Sequence, residues 1–137
     1  MLYEVNEKLN DPLVRNILSA CLFDNTPEGI DNAINKYPGE LFYGWHENDE
    51  LVAVCGFRVF DKKVEICHIA VIESSRYKGI GKAIISTLRE KYGLAIEVET
   101  DDDAVGFYKK CGFQTKALYK KHGDTEYRRW ICVLENG

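Results

Sequence analysis

The chain has 137 residues, enough for one domain around one core and too few for two. Its 45% hydrophobic and 29% charged residues are the proportions of an ordinary globular domain, read here as one unit over residues 1–137. A net charge of −4 without a long basic run argues against nucleic-acid binding, and no apolar stretch approaches the roughly 20 residues of a membrane-spanning helix.

The opening "MLYEVNEKLND" lacks the basic-then-apolar layout of a secretory signal, so a cytoplasmic location is expected. Inside it, "LYEV" reads as a short strand. Asp11 is placed as a helix N-cap with Pro12 in the first turn, where its missing N–H costs nothing. Leu13, Val14, Ile17, Leu18, Cys21 and Leu22 then form one apolar helix face. Thr26-Pro27 repeats the opening, with Ile30, Ala33, Ile34 and Tyr37 as the second face and Pro38-Gly39 as its end.

Three segments rich in β-branched and aromatic residues follow: "LFYGW", "LVAVCGFRVF" and "VEICHIAVI". The polar turns "HENDE" and "DKK" between them are short enough for hairpins, so three antiparallel strands are expected. A helix is read from Ile80, Ile84, Ile85, Leu88 and Tyr92, stopping at Gly93. "LAIEVET" is a strand, and Asp101 to Asp103 suit a helix start because carboxylates complement exposed N–H groups. Ala104, Phe107, Tyr108 and Cys111 share that helix's face before Gly112, and "FQTKALY" and "EYRRWICVL" flank the turn "KKHGD". The order β-α-α-β-β-β-α-β-α-β-β, mostly hairpin-linked, predicts an α+β fold with a mixed, mostly antiparallel sheet of about seven strands and about four helices.

The five cysteines, Cys21, Cys55, Cys67, Cys111 and Cys132, are odd in number, widely spaced and without a CxxC pair. They are expected to be buried reduced thiols, not a disulfide framework or metal cage. His46, His68 and His122 share no metal-ligand spacing; His46 and His122 fall in expected turns as solvated side chains.

The segment "SRYKGIGKAI", Ser75 to Ile84, carries the chemistry. As a P-loop it fails twice: Arg76 stands where the first glycine belongs, and Ala83 where a metal-holding hydroxyl belongs. As a dinucleotide fingerprint it lacks the third glycine, having Ile84 there. Glycines let successive N–H groups converge on a bulky anion, a following helix offers its positive end, and Arg76, Lys78 and Lys82 add charge. The turn therefore suits a pyrophosphate.

Arg76-Tyr77-Lys78-Gly79-Ile80-Gly81 resembles the R-x-x-G-x-G signature of the GNAT superfamily of N-acetyltransferases. The later "DDDAVGFYKKCGF" is similar to the family's second signature, with Ala104, Phe107, Tyr108, Gly112 and Phe113 at matching positions. Asp101 stands where the family often has Asn, which puts any amide contact there in doubt. The element order matches the family's over nearly the whole chain.

The resemblance implies a GNAT-like sheet and transfer of acetyl from acetyl-CoA to a primary amine by direct attack, with no metal. The coenzyme would lie along Ile69, Ala70 and Val71, on Arg76, Tyr77, Lys78, Gly79, Ile80, Gly81, Lys82 and Ala83, and near Phe107. Tyr108 would protonate the leaving thiolate. Glu65 would relay the amine proton, with His68 as rival; strand alternation sets the two on opposite faces unless a bulge intervenes. Cys67 and Cys111 lie near the motifs, but no patterned histidine activates either for an acetyl-cysteine route. Asp24, Glu28, Asp31 and Glu40 either attract an amine or form a solvated face. The acceptor, a small molecule or a peptide, is not written in the sequence. A non-enzymatic acyl-CoA-binding module on the same fold is the alternative, and a monomer or a homodimer would suit either reading.

Overall fold

The N-terminal helices begin where their caps demand. In the computed structural model, which describes residues 2–136, helix α1 (Pro12–Ser19) opens on Asp11, whose Oδ1 accepts the Leu13 N–H at 2.9 Å. Helix α2 (Pro27–Asn35) opens on Thr26, whose hydroxyl accepts the Gly29 N–H at 3.1 Å. The longest helix, α3 (Ile80–Tyr92), is followed by Gly93 in the left-handed region at φ 63°, and α4 spans Val105–Lys110. Single 3-10 turns at Asn6–Lys8 and Glu73–Ser75 have no counterpart in the sequence reading.

Seven strands, β1 (Leu2–Glu4), β2 (Leu41–Glu47), β3 (Glu50–Val59), β4 (Lys63–Val71), β5 (Ala95–Thr100), β6 (Gln114–His122) and β7 (Thr125–Leu134), form one sheet in the order β1-β2-β3-β4-β5-β7-β6. The fold is α+β, as expected. Two turns are tighter than their polar sequences imply. Strands β2 and β3 zip to Glu47↔Glu50, leaving Asn48 and Asp49 at φ 50° and 65°, the two left-handed residues of a two-residue hairpin. His46 thus lies in β2, its ring against Tyr3, and His122 ends β6; neither sits in the turn expected for it.

The sheet is covered on both faces. Ile84, Ile85 and Leu88 of α3 pack with Phe57, Val64 and Ile96 on one side. Val14, Ile17 and Leu18 of α1 pack with Phe42, Val54 and Ala70 on the other. Strand β3 serves both by alternation, Ala53, Cys55 and Phe57 toward α3 and Val54 toward α1. Phe57 and Leu88 are fully buried, each contributing roughly 1.5–3 kcal/mol of apolar burial.

Two irregularities position the site. All neighbouring strands are antiparallel except β4 and β5, which pair in parallel only from Lys63↔Ala95 to Ile66↔Val98. Beyond Ile66, β4 runs on with β3 alone to Val71; beyond Val98, β5 runs on with β7 to Thr100. The sheet is split there. The second irregularity is a bulge: Gly56 pairs with His68 and Phe57 with Ile66, leaving Cys67 as the extra residue. An extra residue inverts the alternation, so Ile66 faces α3 while His68 faces Phe42 on the α1 side.

Candidate active site

The split between β4 and β5 opens into a cleft of about 760 Å³. Residues 66–71 of β4 form one wall and residues 98–101 the other; the glycine turn and α4 close one end. Past the split, each strand has lost its neighbour on the side facing the other, so extended backbone borders the cavity. Ile69, Ala70 and Val71 all line it, as expected of a strand that presents backbone to a ligand.

The glycine turn is built from conformation more than from space. Gly79, the N-cap of α3, sits at φ 81°, and a Cβ there would meet nothing within 4 Å. Glycine is needed for the left-handed backbone, which costs other residues roughly 1–2 kcal/mol. Tyr77 adopts the same region at φ 64° with a fully exposed ring. Having no side-chain cap, α3 leaves its first N–H groups directed at the turn. Gly81 has a different reason: its Cβ would stand 2.8 Å from the Phe107 ring, so it is the ring that needs the space.

The predicted contact residues divide. Arg76, Tyr77, Gly79, Ile80, Gly81 and Phe107 line the cleft. Lys78, Lys82 and Ala83 do not; both lysines are exposed beside it. Arg76 is already engaged, its Nε donating to the Val71 carbonyl at 3.0 Å and tying the turn to the end of β4. Asp101 accepts the Ala104 N–H at 2.9 Å, a capping role that an amide or a carboxylate performs equally.

Tyr108 lies at the cleft with only 3% exposure, edge-on to Phe107 and Phe113 at 5.0 and 5.3 Å. Its hydroxyl has no hydrogen-bond partner among the described residues, and desolvation pushes its pKa well above the usual phenol value. Desolvation holds the phenol in its neutral, protonated form.

The two base candidates share a face because of the bulge, but not a cavity. Glu65 lies off the cleft and accepts a hydrogen bond from Arg58 at 2.8 Å. His68 lines the cleft. Its ring stacks on Phe42 at 6.1 Å, and its Nδ1 is 2.7 Å from Oε2 of Glu40.

Of the two readings left open for the acidic residues, Glu40 does not fit the solvated face. It is 7% exposed, where Asp24 instead accepts from Thr26 and Asp31 pairs with Arg15 at the surface. Glu99 on the opposite wall is held as a carboxylate: partial burial pushes its pKa up, but hydrogen bonds from Lys120 and Arg129 outweigh that.

All five cysteines are free, but only Cys55 and Cys132 are fully buried, against the expectation for the set. The Cys67 thiol is pushed up to about 12 by desolvation and by the Glu40 and Glu65 charges, which removes the thiolate an acetyl-cysteine would need. Among the described residues no group of three or more His, Cys, Asp or Glu is placed to hold a metal ion, and no helix is long and apolar enough to cross a membrane. Sequence reasoning named Glu40 without its partner His68, and it did not place Ala20 and Cys21, which reach the cleft from the end of α1. No spacing rule ties these segments to the glycine turn.

Comparison with known proteins agrees with this geometry. The family model described as acetyltransferase (GNAT) matches residues 12–113, most of the chain. An uncharacterized N-acetyltransferase of Bacillus subtilis, YvbK, is 30% identical over 98% of this chain and 86% of its own. A GNAT-family structure from Desulfovibrio desulfuricans superimposes with a TM-score of 0.76 at 19% identity, covering 100% of this chain and 99% of that one. A GNAT-family acetyltransferase from Elizabethkingia anophelis, with acetyl-CoA bound, gives 0.70 at 17% identity, covering 98% and 97%.

Proposed function

Because the chain belongs to the acetyltransferase (GNAT) family, we propose that it moves an acetyl group from acetyl-CoA to a primary amine, the amine attacking the thioester directly. One observation carries this reading: the β4–β5 split opens onto the uncapped N-terminus of α3 and the glycine turn. A single ligand with an anionic end and an extended amide-bearing arm fits both features. Acetyl-CoA is such a ligand, and it occupies the Elizabethkingia relative.

The roles follow from position. N–H groups of the turn and of the α3 N-terminus receive the pyrophosphate, with Lys78 and Lys82 supplying charge from outside the wall. Extended backbone at Ile69, Ala70 and Val71 pairs with the pantetheine amides, and an N–H there stabilises the oxyanion as the thioester carbonyl is attacked. Tyr108, which lines the cleft beside Phe107, gives its proton to the departing thiolate.

Titration calorimetry with acetyl-CoA, followed by thiol release in the presence of primary amines, tests the reading. Saturable binding with amine-dependent release of coenzyme A thiol supports it. Binding with no turnover across the amines supports the acyl-CoA-binding module instead, and absence of binding removes both.

A further inference from the structure

Glu40 is an unusual residue to bury. Its side chain is 1% exposed, Oε2 lies against His68 Nδ1, and Oε1 has no hydrogen-bond partner among the described residues. A buried carboxylate is costly unless paired, so a site that keeps one has a use for it. Its place is built by the backbone. A Cβ on Gly56 would overlap the Glu40 carboxylate, and it is the bulge at Cys67 that turns His68 toward that carboxylate.

The pair fixes a tautomer. An ionised Glu40 would only accept, so the 2.7 Å contact assigns the hydrogen to Nδ1 of His68 and leaves Nε2 as the acceptor whenever the ring is neutral. Phe42 stacks on the ring at 6.1 Å and Tyr37 meets it edge-on at 6.0 Å, which restricts its rotation. His68 is also part of the cleft wall.

We infer that His68 is the proton acceptor for the attacking amine and that Glu40 is its positioning residue, an assignment that rests on the acetyl-transfer reading above. In the step, the amine nitrogen forms a bond to the acetyl carbon and the carbon–sulfur bond breaks. The proton lost by the amine goes to Nε2 of His68, and the coenzyme thiolate takes the Tyr108 proton. Imidazolium then returns a proton to the phenolate through solvent, leaving amide and thiol as the net products. Glu40 holds the imidazolium by charge, as the buried carboxylate does in a catalytic triad.

The pH dependence of this step has identifiable neighbours. Tyr37 and Glu40 contact His68 from the segment before β2; Cys21 from the end of α1 and Cys67 of β4 line the same cleft, while Glu65 of β4 pairs with Arg58 of β3 off it. The thiols of Cys21 and Cys67 stay protonated at neutral pH, each pushed up chiefly by desolvation, which leaves the Glu40 carboxyl as the acidic group in contact with the ring.

The test compares wild type, His68→Gln, Glu40→Gln and Glu40→Asp. Thiol release from acetyl-CoA is followed from pH 5 to 9 with the fastest amine of a panel holding a diamine, an amino sugar and a peptide with a free N-terminus. His68→Gln keeps a donor for Glu40 and is expected to lower kcat by about 10²-fold or more, with loss of the acid limb of the profile. Glu40→Gln is expected to cost about 10-fold or more by releasing the tautomer, with partial recovery in Glu40→Asp. Long-range 1H–15N spectra of the free protein, assigned with His68→Gln, are expected to show His68 protonated at Nδ1 and bare at Nε2. Variants that melt earlier yet keep wild-type kcat and pH profile would overturn the assignment. So would a His68 protonated at Nε2, which is readable even if Glu40→Gln fails to fold. Wild type that transfers to no amine refutes the acetyl-transfer reading and the His68 role with it; the spectra then still report whether Glu40 sets the tautomer.

Discussion

Gly79 and Gly93 sit at opposite ends of α3, at φ 81° and 63°, and at both a Cβ would meet nothing within 4 Å. Replacing either with valine therefore puts its Cβ in open space, and the effect shared by the two sites is the cost of a β-branched residue in the left-handed region. That cost is at least about 1–2 kcal/mol, so the local backbone relaxes out of its native conformation. At Gly93 the relaxation loosens the C-terminus of α3, far from the cleft. At Gly79 it reorients the N–H groups proposed to face pyrophosphate, and the coenzyme must either restore the strained turn or bind without it. Acetyl-CoA affinity should then fall by at least about 5- to 30-fold in Gly79→Val, the factor equivalent to about 1–2 kcal/mol. It should be unchanged in Gly93→Val, whose cost appears only in the denaturation midpoint. Titration calorimetry and urea unfolding of both variants make the comparison. A Gly79→Val protein that binds acetyl-CoA as tightly as wild type would refute the anion-cradle reasoning, whatever its stability.

Further outcomes are expected at three other residues. Tyr108→Phe removes an unpartnered hydroxyl from an aromatic cluster, so melting and acetyl-CoA affinity should hold while kcat falls by about 10²- to 10⁴-fold; an unchanged kcat would end its role as the acid. Glu65→Gln breaks a partly exposed ion pair with Arg58, off the cleft, which is worth about 0–1 kcal/mol. Thiol-release assays should find its kcat within about two-fold of wild type, and a hundred-fold loss would return the base to the carboxylate that the family resemblance implies. Cys67, raised from 9.0 to about 12, holds far less thiolate at pH 8 in the folded chain than in the unfolded one. Native alkylation by iodoacetamide, read by mass spectrometry, should be roughly 10³-fold slower than in denaturant and climb tenfold per pH unit toward 12. Equal rates in the two states would show that the thiol is not shielded.

Much of this architecture follows from local rules that a sequence displays directly. Asp11-Pro12 and Thr26-Pro27 are caps whose hydrogen bonds lie within three residues, and Ile84, Ile85 and Leu88 recur at the period of the helix they occupy. The glycine turn and the Phe107-Tyr108 pair were legible for the same reason: each is a contiguous stretch with a fixed spacing. The tertiary structure decided whatever depends on distance along the chain or on a break in periodicity. Nothing set Glu40 apart from Asp24, Glu28 and Asp31, because burial beside a histidine 28 residues away leaves no mark on local spacing. The face of His68 was open because a bulge is a pairing event between two strands, invisible in either strand alone. Gly81 looked like space for a ligand until Phe107, from another helix, was found filling it. Periodicity and capping are properties of neighbours in sequence, and they fix the elements; which side chains meet in the cleft is set by register and packing between elements.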